Sequence, residues 1–75
     1  MAIIDVKTEI TGNVWKIVVE AGDNIEEDQP IMILESMKME IPVSSPESGV
    51  VLEILVEPDQ TILEGSVVAR VESLA

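Results

Sequence analysis

The sequence predicts an all-β fold, a small two-fold β-sandwich or flattened barrel. Three observations carry that expectation. Apolar residues make up 47% of the 75-residue chain, yet Trp15 is its one aromatic residue, and valine and isoleucine supply most of the rest. Their stiff, branched side chains favour strands over helices. The chain also repeats itself: GNVWKIVVEAGDNIEEDQPIMILE (Gly12 to Glu35) aligns without a gap with GVVLEILVEPDQTILEGSVVARVE (Gly49 to Glu72), at an offset of 37. Eight of the 24 aligned positions are identical, and pairs such as Ile31/Val68 and Leu34/Val71 are conservative. Finally, no segment has a helical apolar period. Two copies are too few for a solenoid, so the halves are expected to share one core about a pseudo-two-fold axis. Residues 1–75 make one domain near the lower size limit, burying roughly 60% of the surface that the unfolded chain exposes.

In chain order, the apolar runs predict strands near 3–7, 13–20, 31–36, 39–43, 50–56 and 67–72. Weaker extended pieces are expected near 24–26 and 61–63. Turn signals separate them: Ala21-Gly22-Asp23 and Asp28-Gln29-Pro30 in the first half, Pro58-Asp59-Gln60 and Glu64-Gly65-Ser66 in the second. Ser44-Ser45-Pro46-Glu47-Ser48-Gly49 divides the halves. Facing follows from alternation. With Lys16, Glu20, Glu53 and Glu57 in water, Trp15, Ile17 and Val19 should point inward, together with Leu52, Ile54 and Val56. Further on, Arg70 aligns with Ile33, which turns Met32, Leu34, Ala69 and Val71 inward.

The segment IMILESMKMEIPV, residues 31–43, contains no Gly, Asn or Asp. A single strand of that length exceeds the usual three to ten residues, so the segment should fold back as a hairpin centred on Met37-Lys38. Tight two-residue hairpins need positive φ at their central residues, which normally selects Asn-Gly or Asp-Gly. Met and Lys conflict with that need, and such local conflicts mark functional sites. Lys38 is one of four basic residues and the midpoint of the chain. The 37-residue offset carries it onto Met1 or Ala75, so its turn should lie at one end of the domain and the termini at the other. A lone lysine at a hairpin tip is most often just a solvated charge, and methionines near it are most often core filler. Here the midpoint position, the turn without turn residues and the flanking methionines occur together.

Glu35-Ser36-Met37-Lys38-Met39 resembles the biotin-attachment motif of the biotinyl/lipoyl domain family, and the resemblance covers essentially the whole chain, including Gly12, Gly22, Gly49 and Gly65. It implies a flattened eight-stranded barrel–sandwich of two four-stranded sheets with the target lysine on an exposed turn. Lys38 would then be the covalent biotin site, with Glu35, Ser36, Met37 and Met39 as the recognition motif around it. The implied partners are a biotin protein ligase, a biotin carboxylase and a carboxyltransferase. The implied role is a carboxyl carrier that shuttles carboxybiotin on an arm of about 15 Å, at about 1.5 Å per bond, without being an enzyme itself. Asp28 and Asp59 stand where glycine is common in the family, and Ser36 where alanine is common. Lipoate is the alternative cofactor, although lipoyl lysines commonly follow aspartate, and Met37 occupies that place here. A small β interaction module with an unmodified lysine is the other alternative.

The net charge of −11 argues against nucleic acid and anionic membranes as partners, because both select clustered Lys and Arg. Without cysteine or histidine the chain has no disulfide framework and no zinc site of the usual kind. The fifteen carboxylates show no ligand spacing for a hard cation and no pairing for acid–base work, so neither a metal site nor a catalytic site is expected. No signal-peptide pattern opens the sequence and apolar runs are short, so a cytoplasmic location and no membrane span are expected.

Overall fold

A computed structural model describes residues 2–73. Eight strands form: β1 (Ile3–Lys7), β2 (Gly12–Ile17), β3 (Asn24–Ile25), β4 (Pro30–Ser36), β5 (Met39–Ser44), β6 (Gly49–Ile54), β7 (Thr61–Ile62) and β8 (Val67–Ser73). They make two antiparallel four-stranded sheets, ordered β1-β8-β6-β3 and β5-β4-β2-β7. Adding 37 to β1 to β4 gives β5 to β8 to within one residue, so each sheet takes two strands from each half. The repeats are therefore interleaved, and neither half has a core of its own.

Four bulges, in two equivalent pairs, shape the sheets. Ladder pairing steps from Val14 to Lys16 on β2 and from Val51 to Glu53 on β6, leaving Trp15 and Leu52 as extra residues. The extra residue of a bulge breaks the simple alternation. Val14 and Val51 are thus fully buried while Trp15 is 46% and Leu52 39% exposed. This corrects the expectation that Trp15 and Leu52 point inward; Val19 and Val56 are buried as expected, and Ile17 and Ile54 pack partly against the core. The second pair of bulges leaves Ile31 and Val68 as extra residues. Ile31 with Met32, and Val68 with Ala69, are consequently buried side by side, joining Leu34 and Val71 in an aliphatic core.

Each half makes two tight turns with positive φ at the third residue, the requirement of a type II turn. Gly22 (96°) and Asp28 (67°) serve the first half, Asp59 (69°) and Gly65 (87°) the second. Glycine and aspartate have traded places between equivalent sites, since 22 pairs with 59 and 28 with 65. Aspartate is among the few residues with side chains that tolerate this region. The turns bond across to the other half: Gly22 N to Val51 O and Asp59 N to Val14 O are equivalent contacts, at 2.6 and 2.7 Å.

Equivalence extends past the matched sequence. Buried Thr8 and Ser45 each donate their hydroxyl to a carbonyl two residues on, Ile10 O at 3.0 Å and Glu47 O at 2.6 Å. Among the described residues no buried side-chain nitrogen or oxygen lacks a partner. Ser73 N donates to Ala2 O, and these two residues stand where the pair Ser36–Met39 stands in the other sheet. Met1 and Ala75, onto which Lys38 maps, lie outside the described residues.

Candidate functional site

The site is the tip of the β4–β5 hairpin. Its stem pairs Met32 with Val43, Leu34 with Ile41, Glu35 with Glu40 and Ser36 with Met39, leaving Met37 and Lys38 as a two-residue turn. Their φ values are 51° and 67°. Two successive left-handed residues define a type I′ turn, whose twist matches the flanking strands. Without the help of glycine or asparagine, a left-handed residue carries a penalty of about 1–2 kcal/mol. The stem holds it in place: Met32 and Leu34 are fully buried and Val43 nearly so. The tip is therefore strained locally and anchored globally.

Every residue singled out by the sequence motif falls here. Met37 is 92% exposed and Met39 64%, unusual for apolar side chains. Lys38 and Glu35 are exposed, and Ser36 is half-buried. Among the described residues Lys38 has no ion pair and no side-chain hydrogen bond. Its ε-amine is thus held by none of the described residues. The arrangement is a projecting nucleophile, not a pocket. A groove of about 420 Å³ does open between the edge strands, near Asp5, Thr8, Ile41, Pro42 and Pro46, but no motif residue lines it.

Sequence reasoning gave one contributor no part in the site. Gly12 packs directly against the stem: a Cβ there would lie 2.7 Å from the Glu35 carbonyl oxygen and 3.4 Å from Ser36 Cβ. The need for glycine is steric closeness, not positive φ. Its signal was the identity of Gly12 and Gly49 in the repeat, which has the same cause at Glu72. Glu40, a charged neighbour of Lys38 by sequence, is set directly opposite Glu35 by the hairpin register.

Comparison with known proteins bears on this geometry. Residues 3–71 match the biotin/lipoyl family described as "Biotin-requiring enzyme". The chain belongs to that family. Among biotin/lipoyl family members, it is 43% identical over 68 residues to the biotin/lipoyl attachment protein of Bacillus subtilis, covering 91% of this chain and 93% of that protein. It is 43% identical over 54 residues to the biotin carboxyl carrier protein of Streptococcus mutans, covering 72% of this chain and 42% of that one. The solved structure of Kluyveromyces lactis urea carboxylase superposes with a TM-score of 0.91 at 32% identity, over 96% of this chain and 6% of that one. The sandwich of two four-stranded sheets expected from the motif is the fold of this biotin/lipoyl domain.

Proposed function

We propose that this chain is a biotin carboxyl carrier domain, with Lys38 as the residue that takes biotin in amide linkage. The observation that carries it is the tip itself: an unpartnered lysine at the summit of a left-handed turn, on a stem anchored by buried Leu34. An exposed primary amine without a competing partner suits an amide to a carboxylic acid cofactor. Lys38 supplies the nucleophile, and its ammonium must first give up a proton. Among the described residues no side chain is bonded to it to take that proton. The base therefore belongs to a biotin protein ligase, whose acyl adenylate loses AMP as the new C–N bond forms. Biotin, when attached, supplies the carrier chemistry for a carboxyl group between a biotin carboxylase and a carboxyltransferase. The domain contributes tethering, which raises the effective concentration of the group at both sites, and Met37 and Met39 form the recognised surface of the tip.

Intact-mass measurement tests this. Coexpression with a biotin ligase is expected to add one biotinyl group, mapped by fragmentation to Lys38 and absent in Lys38→Arg. A lipoyl group instead, added by a lipoyl ligase in a parallel culture, would assign the other cofactor. No added mass in either culture defeats the carrier reading.

A further inference from the structure

The outer faces of the two sheets carry different chemistry at equivalent positions. On the first sheet Asp5, Arg70 and Glu53 stand in one cross-strand row. Arg70 Nη1 donates to Glu53 Oε1 at 2.7 Å and Nε to Asp5 Oδ1 at 3.1 Å. These bonds, Glu53's foremost, raise the guanidinium pKa. The offset of 37 carries that row to Pro42, Ile33 and Lys16 on the second sheet, which again form one row. There Lys16 lies 5.0 Å from the centroid of the Trp15 ring, a cation–π contact, in place of an ion pair. The bulge sets Trp15 and Lys16 together opposite Ile33. Pro42, Ile33 and Trp15 thus run as an apolar strip across three strands, where the first sheet has charges.

The strip crosses the strands that end in the Lys38 turn. Between strip and turn, Glu35 and Glu40 face each other directly. Neither has a cation partner among the described residues. Like charges directly opposite each other destabilise a strand pair, and a basic group from outside would relieve them. From the tip downward the hairpin therefore presents the lysine at its turn and, on one face of its stem, an acidic pair and an apolar strip.

We propose that this face is the docking surface of the enzyme that acylates Lys38: a protein with basic groups set for Glu35 and Glu40 and an apolar patch set for Trp15, Ile33 and Pro42. The inference rests on the carrier reading above. Reach selects this occupant. A bare lysine side chain extends about 6 Å, at about 1.5 Å per bond before zigzag. Ile33 lies three residues below the end of the stem, roughly 10 Å at 3.3 Å per residue. An enzyme that encloses the amine must therefore approach the turn closely and cover the stem. Later partners meet a longer arm and have no such constraint.

The test is biotinylation kinetics with a purified biotin ligase, ATP, biotin and the intact chain. The variant Lys16→Glu, Ile33→Arg, Pro42→Asp copies the charged row of the first sheet onto the second. The sheet already shows that this row folds, and the change adds net negative charge, so attraction to a basic enzyme is not weakened. KM is expected to rise about tenfold, the effect of roughly 60 Å² of apolar surface left wet. The kcat and the melting temperature should stay as in the wild type. Trp15→Leu, which copies Leu52, should raise KM less and serves alone if the triple variant does not fold. An unchanged KM, with the wild type still modified at Lys38, overturns the docking surface and leaves the carrier reading standing. A wild type that is never biotinylated removes both. Sedimentation covers a second copy as occupant: dimerisation abolished by the triple variant at unchanged KM would also overturn the proposal.

Discussion

The two sheets are built on one plan, and they differ most at their ends and in their middle rows. At one end of the plan stands the Ser36–Met39 pair capped by Met37-Lys38; its counterpart is Ser73 beside Ala2. In the middle row, Asp5-Arg70-Glu53 is replaced by Pro42-Ile33-Lys16. The interior is by contrast apolar and built on one backbone plan in both, down to the paired bulges and the backbone bonds of Val14 and Val51, although Met32 stands opposite Ala69 in the repeat. Packing keeps the halves alike, because interleaved strands must fit one core. Surface chemistry is free to diverge, and it has done so on the sheet that presents the lysine.

The comparison is broken most severely at its glycines. Gly49→Ala drives a Cβ into the Glu72 carbonyl, a closer approach than Gly12→Ala makes to Glu35. We expect losses of about 3 kcal/mol at Gly49 and about 1–2 kcal/mol at Gly12, the range for overpacking without room to relax. Urea denaturation checks both, and equal losses would show that the two strand approaches are not distinct. Only Gly12→Ala should also slow biotinylation, since it displaces Glu35.

The tip offers a gain. Met37→Asn with Lys38→Gly gives the turn the residues its φ values ask for, and stability should rise by about 1–2 kcal/mol. The same change removes the attachment site. A higher urea midpoint combined with no modification would show that the lysine tip is kept at a cost to the fold. No gain would mean that the anchored stem already relieves the strain.

The smallest effect sharpens the symmetry. Thr8→Val and Ser45→Ala each delete a hydroxyl bond to a carbonyl two residues on. A loss of about 1 kcal/mol is expected at Ser45 and about 1–2 kcal/mol at Thr8, whose hydroxyl also accepts from Ile10 N at 3.2 Å. A larger loss at Ser45 than at Thr8 would place the two equivalent positions in different energetic settings despite their shared geometry.

Much of this was legible before any coordinates. The β-branched runs placed all eight strands, and the offset of 37 announced the pairing of halves. Residues 31–43, too long for one strand, put the turn at Met37-Lys38, where both residues do take positive φ. The glycine–aspartate exchange at 22/59 and 28/65 was visible as composition, but its equivalence became plain only with the dihedrals.

What the sequence by itself determined was local: which segments extend, where they turn, and that one lysine occupies a turn unsuited to it. Those depend on side-chain branching and on φ preferences, which each residue carries with it. What the tertiary structure alone decided was register. Strict alternation put Trp15 and Leu52 in the core, whereas the bulges beside Val14 and Val51 moved them out and left Ile33 and Trp15 on one outer face. A bulge is fixed by the partner strand and by the volume that the opposite sheet leaves to fill, and neither is written in the alternation of a single strand.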